Sequence, residues 1–204
     1  MPDGSLFCPT CMLPVNEPLR ASDNGVTPEP PSEAEGTHST DMGNAQRLVH
    51  RHGQDIRYCP PWGKWLCWDG YRWAVDDIAQ VDRLAKETVK SIYAEAAEAA
   101  TPGERERLAK WAVRSESRAR IEAMIALARS EAGIPIRPAE LDANGWLFNV
   151  ENGTIDLHAG ELRPHRREDL ITKLAPVAYD RDDTCPMFTS FLHRIMGGNA
   201  DLID

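Results

Sequence analysis

The sequence lacks any apolar run long enough to cross a membrane, and it lacks a targeting segment at its start. A membrane-spanning helix needs roughly 20 consecutive apolar residues, and no such run occurs among the 204 residues. The opening Met1-Pro2-Asp3-Gly4 has neither the basic nor the apolar region of a secretory signal. We therefore expect a cytoplasmic protein that does not contact a membrane.

Regularly spaced cysteines are also absent. The five cysteines are odd in number and irregularly spaced, which argues against a framework of disulfides. Cys8 and Cys11 form a C-x-x-C pair that can supply two ligands to Zn²⁺, whereas a closed structural site needs four. Zinc binding at Cys8 and Cys11 is therefore a hypothesis, and two free thiols are its alternative.

A phosphate-binding loop is missing as well. The pattern G-x-x-x-x-G-K-[ST] holds nucleotide phosphates through its backbone amides, and it does not occur in this sequence. The pair Gly63-Lys64 is followed by a tryptophan and lacks the upstream glycine. ATP hydrolysis by such a loop is therefore excluded for this chain alone, and no cofactor is expected on it.

Basic residues are too few for a general nucleic-acid binder. The net charge is −9, and residues 1–43 hold seven acids against one base. The other residues carry 22 bases and 25 acids, so any contact with nucleic acid must use a local patch. Because residues 1–42 are polar and rich in proline and glutamate, we predict a disordered or linking segment there and an ordered domain over residues 43–204.

Aromatic residues are concentrated in one stretch, which predicts a first hairpin. Four of the six tryptophans fall within residues 62–73. Asp69-Gly70 separates two aromatic-rich runs, and Asp-Gly in that place is a type I′ turn signal. The tryptophans either form the core of a small sheet or, with Lys64 and Arg72, stack on bases and hold phosphate. We favour the core, because each indole buries a large area.

Helices and a second β unit complete the predicted fold. Helical periodicity covers residues 44–52, with Asp41 or Asn44 as the cap, and residues 77–132 and 187–196. A capping box at residues 101–104 starts a new helix. Turn signals within residues 146–164 predict a β-meander, and residues 170–174 are predicted to be a strand. The fold class is α+β: helices with two small antiparallel hairpin or meander units.

The densest basic cluster follows the meander, and it predicts contacts with DNA phosphates. With one arginine of the first hairpin and one lysine beyond the cluster, the candidate residues are Arg72, Arg163, His165, Arg166, Arg167 and Lys173. Ordinary turn chemistry is the alternative for this cluster. A second basic face consists of Lys110, Arg114 and Arg118. We expect this face to be solvated and paired with neighbouring glutamates.

An ordered series of motifs carries a resemblance to a known family. The series is Gly43-Asn44-Ala45, Arg57-Tyr58, WLCWDGYRW at 65–73, Ser115-Glu116-Ser117, NVENGTIDL at 149–157, Arg163-Pro164-His165, ITKLAPVAYD at 171–180, Cys185-Pro186 and Phe191-Leu192. Over about residues 43–204 the chain resembles the domain that precedes the superfamily 3 helicase in phage and plasmid primase–helicases, which are related to the poxvirus primase-helicase.

The resemblance implies a role in phage or plasmid DNA replication. It implies a non-catalytic connecting domain that contacts single-stranded or forked DNA and couples to a helicase ATPase or other replication proteins. ATP and Mg²⁺ are implied only for the full-length relatives. We also expect a C-terminally truncated domain, from a truncated or split gene or a prophage remnant, because an apolar helical face at residues 187–196 is followed by the beginning of another helix.

Two other functions stay open from the sequence. The first is a small DNA-binding regulator that uses zinc at Cys8 and Cys11. The second is a metal-dependent nuclease, because clustered carboxylates can hold Mg²⁺ for phosphoryl transfer. Its candidate ligands are Asp69, Asp76, Asp77 and His165.

Overall fold

The computed structural model describes residues 38–199, which contain five helices and two three-stranded sheets. The helices are α1 (Asp41–His52), α2 (Gln80–Glu98), α3 (Pro102–Ser115), α4 (Arg118–Ala128) and α5 (Pro186–Ile195). The strands are β1 (Ile56–Cys59), β2 (Lys64–Trp68), β3 (Trp73–Val75), β4 (Leu147–Val150), β5 (Gly153–Asp156) and β6 (Glu161–Arg163). The predicted α+β class with two small antiparallel units is confirmed.

The predictions for the N-terminal segment lie outside these residues, and the prediction about membranes can be compared with the helices. The Cys8–Cys11 pair and most of the predicted segment 1–42 lie outside the described residues. Among residues 38–199, none of the helices has the length and apolar character needed to cross a membrane.

Threonine side chains cap the first turns of α1 and α3. Thr40 caps α1 by accepting a hydrogen bond from the Gly43 amide at 3.0 Å. The predicted cap at Asp41 or Asn44 is therefore wrong, because both residues already lie inside the helix. Thr101 caps α3 by accepting from the Glu104 amide at 3.2 Å, which confirms the predicted helix start. The helical stretch predicted over residues 77–132 consists of three separate helices.

The core consists of three clusters of buried side chains. The first joins α1, α2 and α4 to β1, with Leu48, Ile56 and Met124 fully buried. The second joins α2 to α3 through residues such as Ile92 and Trp111. The third packs Cys59, Leu66 and Trp73 of the first sheet against Ile136 and Leu141. Because a buried side chain of this size contributes about 1.5–3 kcal/mol, these clusters supply most of the stabilising apolar burial.

The first sheet has the strand order β1-β2-β3, and its pairs are antiparallel. Trp68 pairs with Trp73, so four residues rather than two form the loop between β2 and β3. The Asp69 carboxylate accepts hydrogen bonds from the amides of Tyr71 and Arg72, at 2.8 Å each. The predicted two-residue type I′ turn is therefore wrong, because this side chain stabilises a wider loop.

The second sheet has the order β4-β5-β6, with Val150 opposite Gly153 at the first turn. This register confirms the predicted meander. Residues 170–174 do not form the predicted strand. They run as an irregular segment, because their backbone groups bond to scattered partners. The carbonyl of Ile171 accepts from the Trp73 amide at 2.8 Å, and the carbonyl of Leu170 accepts from the Asp142 amide at 3.0 Å.

Candidate nucleic-acid interface

The loop between β2 and β3 lies against the segment that follows β6. Arg72 donates from Nη1 to the carbonyl oxygen of Thr172 at 3.3 Å, although 100 residues separate them. The Trp73 indole N–H donates to the carbonyl oxygen of Arg167 at 2.8 Å. Residues distant in sequence are therefore held together on one surface. We call it the junction surface and define it by Tyr71, Arg72, Arg166, Arg167 and Lys173.

Two lysine or arginine side chains of the junction surface are free to meet an anion. Arg166 and Lys173 are exposed, and no ion pair joins either of them to another residue of the described chain. Arg72 is 40% exposed, and its Nε lies 3.6 Å from Asp69 Oδ2 without forming a hydrogen bond. Because surface pairs of this kind contribute little, Arg72 remains available to a phosphate.

An exposed tyrosine ring belongs to the same surface. Tyr71 is 49% exposed, and its ring meets the ring of His165 edge to face, with 5.2 Å between the centroids. An exposed aromatic ring beside cations can stack on a base while the cations contact the phosphates on either side. Tyr71 was not among the site residues predicted from the sequence. Its signal was its position directly after the Asp69-Gly70 pair.

His165 is held in place by the second sheet. Its Nδ1 lies 2.8 Å from Asn149 Oδ1, and Asn149 Oδ1 also accepts from the Thr154 hydroxyl at 2.8 Å. Because Asn149 donates from Nδ2 to the carbonyls of Tyr71 and Lys173, its oxygen is the acceptor and His165 Nδ1 carries the proton. The hydrogen bond to Asn149 therefore holds the His165 ring against the ring of Tyr71.

Arg163 and Arg167 each have a carboxylate partner. Arg163 donates to both oxygens of Asp169 at 2.7 and 2.8 Å, and the two side chains are only 21% and 13% exposed. The hydrogen bond to Asp169 raises the pKa of Arg163, against a smaller opposing effect of burial. Arg167 donates from Nε to Asp55 at 2.6 Å, and both side chains remain about 40% exposed. A DNA phosphate would have to compete with Asp169 for Arg163.

A cleft with a volume of about 300 Å³ opens beside the junction surface. Its walls come from the end of α1, from β2, from the loop after β2 and from the start of α2. Arg167 forms part of its rim, with its guanidinium carbon 6.0 Å from the centre of the Trp68 ring. The cleft and the junction surface therefore share Arg167.

The carboxylates proposed for a nuclease are engaged in local structure. Asp69 accepts from two amides of its own loop. Asp76 accepts from the amides of Gln80 and Val81 at 2.7 and 2.9 Å, at the start of α2. Within residues 38–199, no group of three or more histidine, cysteine or acidic residues is arranged to hold a metal ion. The geometry gives no support to a metal-dependent nuclease centre in this part of the chain.

The second basic face is largely paired, as expected. Lys110 contacts Glu106 at 2.6 Å, and Arg118 donates to Glu122 at 2.6 Å. The hydrogen bond to Lys110 lowers the pKa of Glu106. These contacts between residues four apart confirm the prediction of a solvated face paired with glutamates for Lys110 and Arg118.

Two apolar surfaces remain exposed. On the outer face of the second sheet, Phe148, Ile155 and Leu162 lie side by side across β4, β5 and β6, and Phe148 is 48% exposed. On α5, Phe188 and Ile195 are 59% and 54% exposed. A soluble domain rarely exposes large contiguous apolar patches unless they bind something.

Comparison with known proteins agrees with the motif series. A family model described as "D5 N terminal like" matches residues 45–197, and no curated protein matches the chain. The matched range contains the first sheet, the second sheet and the junction surface. The chain therefore belongs to the D5 N-terminal-like family, the domain that precedes the superfamily 3 helicase in primase–helicase proteins.

Proposed function

We propose that this chain is a non-catalytic accessory module of a phage or plasmid primase–helicase. It holds single-stranded or forked DNA at the junction surface and couples to an ATP-dependent helicase. The observation that carries the proposal is that Arg72 donates a hydrogen bond to the Thr172 carbonyl, which joins the loop of Tyr71 to the segment that bears the exposed Arg166 and Lys173. Family membership supports a role associated with a primase–helicase.

The arrangement suits a single strand better than a rigid duplex. Single strands are bound by cations that follow the phosphates and by aromatic rings on which bases stack. The junction surface has one exposed aromatic ring, that of Tyr71, and three cations. Within the described residues, none of Arg72, Arg166 and Lys173 donates a hydrogen bond to a carboxylate. Affinity from so few cations depends strongly on salt, because each bound phosphate releases counterions.

The test is fluorescence anisotropy of labelled single-stranded and forked DNA with the 204-residue chain across a salt series. On a single strand, each phosphate that a cation neutralises contributes about 0.7 to the slope of log K against log salt. We therefore expect the triple variant Arg72→Ala, Arg166→Ala and Lys173→Ala to flatten the slope by up to about 2. The double variant Arg166→Ala and Lys173→Ala keeps the hydrogen bond from Arg72 to Thr172. It therefore distinguishes the effect of lost charge on DNA binding from an effect of the lost hydrogen bond on folding.

The matched control removes the same charge from the other basic face. We expect the variant Lys110→Ala, Arg114→Ala and Arg118→Ala to keep the slope of the wild type. If the slope of log K against log salt is flattened in this control and unchanged in the junction variant, DNA binds at the α3–α4 face and not at the junction surface. Absence of binding at low salt would leave a protein-facing connector and overturn the DNA part of the proposal.

The helicase ATPase domain is the partner that we propose for the apolar face of α5. The helix has exposed Phe188, Phe191 and Ile195 on one side and His193 and Arg194 on the other. We expect Phe188→Ser with Ile195→Ser to weaken binding to a separately purified ATPase domain from a full-length relative, and to leave DNA binding unchanged. The polar-face control His193→Ala with Arg194→Ala should retain binding, and equal weakening in both variants would contradict a specific apolar interface.

A further inference from the structure

The outer face of the second sheet is a contiguous apolar surface. Phe148, Ile155 and Leu162 lie in one row across β4, β5 and β6. The Leu157 amide donates to the Trp146 carbonyl, so these two residues extend the same face, because alternate residues of a strand point to one side. Trp146, Phe148 and Leu157 are each about half exposed. A sheet normally buries its apolar face against another element.

Helix α5 has an apolar side that is exposed as well. None of its ten residues is buried. Phe188, Phe191 and Ile195 are each more than half exposed, and their spacing of three and four residues places them on one side of the helix. The last helix and the last sheet of the same chain therefore both expose apolar surfaces that are suited to pack against each other.

The two surfaces match in size and in charge. A helix of ten residues is about 15 Å long, and a strand of four residues is about 13 Å long. Residues 146–162 carry Glu151, Asp156 and Glu161 and no lysine or arginine, whereas α5 carries Arg194 and no acid. Opposite net charges favour contact between the two elements, and the three acids disfavour DNA on this face.

The chain between the sheet and α5 is long enough for this contact. Asn152, in the turn between β4 and β5, donates to the Tyr179 carbonyl at 2.9 Å and accepts from the Tyr179 amide at 2.8 Å. Residues 180–185 connect this point to the start of α5, and that stretch spans at most about 25 Å. Because this reach exceeds the length of the outer face, α5 can lie on its own sheet while Tyr179 stays in place.

We propose that α5 is a strap that closes onto the outer face of its own second sheet. In the closed position Phe188, Phe191 and Ile195 pack on Phe148 and Leu162, and the structure shows the open position. The contact itself requires neither DNA nor ATPase. Its consequence rests on the proposed function: the side of α5 proposed to bind the helicase ATPase domain is covered in the closed position, so the ATPase domain shifts the strap towards the open position.

The test is hydrogen exchange of the 204-residue chain, followed by mass spectrometry. We expect the amides of residues 187–196 to exchange at least about fivefold faster in Phe148→Ser with Leu162→Ser than in wild type, because a ten-residue helix without a partner is only marginally stable. Ile78→Ser is the control, since Ile78 is 70% exposed and lies in neither element.

A second sheet variant guards against local misfolding. Trp146→Ser with Leu157→Ser removes the other apolar row and should accelerate the same amides. Unchanged exchange in α2 shows that the fold is intact in each variant. Equal exchange of residues 187–196 in wild type and in both sheet variants overturns the strap and leaves the proposed function standing. Protection of α5 that increases with protein concentration would mean that a second copy covers it, which also overturns the strap.

Binding to a separately purified ATPase domain from a full-length relative tests the consequence. Because the open position is more populated in the two sheet variants, we expect each of them to bind this domain at least about threefold more tightly than wild type. Equal affinity in wild type and variants overturns the competition between sheet and ATPase domain. Absence of any binding overturns the proposed coupling to the helicase, whereas hydrogen exchange alone decides whether the strap closes.

Discussion

Asn149 joins the two sheets through both ends of its side-chain amide. Its Nδ2 donates to the carbonyls of Tyr71 and Lys173, and its Oδ1 meets Thr154 and His165. This uses the full donor capacity of the amide at a buried position. The buried motif residue Asn149 thus supports the backbone of the junction surface. In the proposed function, the exposed cations of that surface and not Asn149 contact DNA.

Asn44 has a comparable structural role among the helices. It donates to the Ser115 hydroxyl at 3.0 Å and accepts from the Trp111 indole N–H at 3.0 Å, and all three residues are buried. Two further motif positions, Asn44 and Ser115, are therefore explained by a buried polar network between α1 and α3. Neither of them is available to a ligand.

Replacing Trp73 should destabilise the whole domain. Trp73 is 1% exposed, its indole packs in the third core cluster, and its N–H bonds the Arg167 carbonyl. We expect Trp73→Ala to lower the free energy of unfolding in urea by about 3–5 kcal/mol. A Trp73→Ala protein with wild-type stability and weakened DNA binding would instead make this ring a binding residue.

His52 should make stability depend on pH below about 6.5. Burial lowers its folded pKa, so between the folded and unfolded pKa values the unfolded chain binds more protons, and stability falls as the pH falls through that window. We expect wild type to lose more stability than His52→Phe between about pH 7.5 and 5.5, measured by urea unfolding at each pH. The other histidines cancel in this comparison, and parallel curves would contradict the lowered pKa.

At the scale of elements, the sequence predicted best where the determinants are local. Thr101 and Glu104 lie three residues apart and start α3 as expected. The Asn152-Gly153 pair separates β4 from β5 in the predicted place. The prediction of a strand at residues 170–174 is wrong, because an apolar run indicates that residues are buried and does not indicate that they pair in a sheet. Ile171 is 8% exposed, but its carbonyl accepts a hydrogen bond from the amide of Trp73, which lies far away in the sequence.

The same limit applies to the candidate site. The basic residues were found by type, but their partners were not, because those partners lie far along the chain or on another face. Arg167 pairs with Asp55, 112 residues away. Asp169 lies only six residues from Arg163. The sequence shows an acid nearby, but it does not show that Arg163 donates to both oxygens of this carboxylate. The cleft with His52 left no sequence signal, since it forms where four separate elements meet.

The turn between β4 and β5 offers a test of how closely the second sheet is packed. A Cβ added at Gly153 would lie 2.5 Å from the Arg163 carbonyl oxygen and 2.8 Å from Leu162 Cδ1. Because the first of these neighbours is backbone, β6 would have to shift away from β5. We therefore expect Gly153→Ala to lower the thermal unfolding midpoint.

The control for this turn is Gly145→Ala. An added Cβ there would have no neighbour within 4 Å, so the midpoint should stay unchanged. If both alanine variants unfold at the wild-type temperature, the second sheet tolerates displacement of β6 and its packing is looser than the distances indicate.

At the scale of the molecule, the first sheet connects the helices to the rest of the fold. Tyr58 and Trp65 pack against the cluster of α1, α2 and α4, whereas Cys59, Leu66 and Trp73 pack against residues 136 and 141. The loop after β2 continues from this sheet to the segment at residues 166–173. A strand of DNA at the junction surface would therefore contact two parts of the chain that only folding brings together.

This arrangement predicts that DNA stabilises the folded chain. A ligand that binds only the folded state adds about 2.7 kcal/mol at a concentration of about 100 times Kd, which corresponds to about 5–10 °C for a domain of this size. We expect single-stranded DNA to raise the unfolding midpoint by that amount, followed by tryptophan fluorescence. Arg166→Ala with Lys173→Ala should abolish most of the rise, and Lys110→Ala with Arg114→Ala should keep it. Equal rises in both variants would mean that DNA stabilises the chain from another surface.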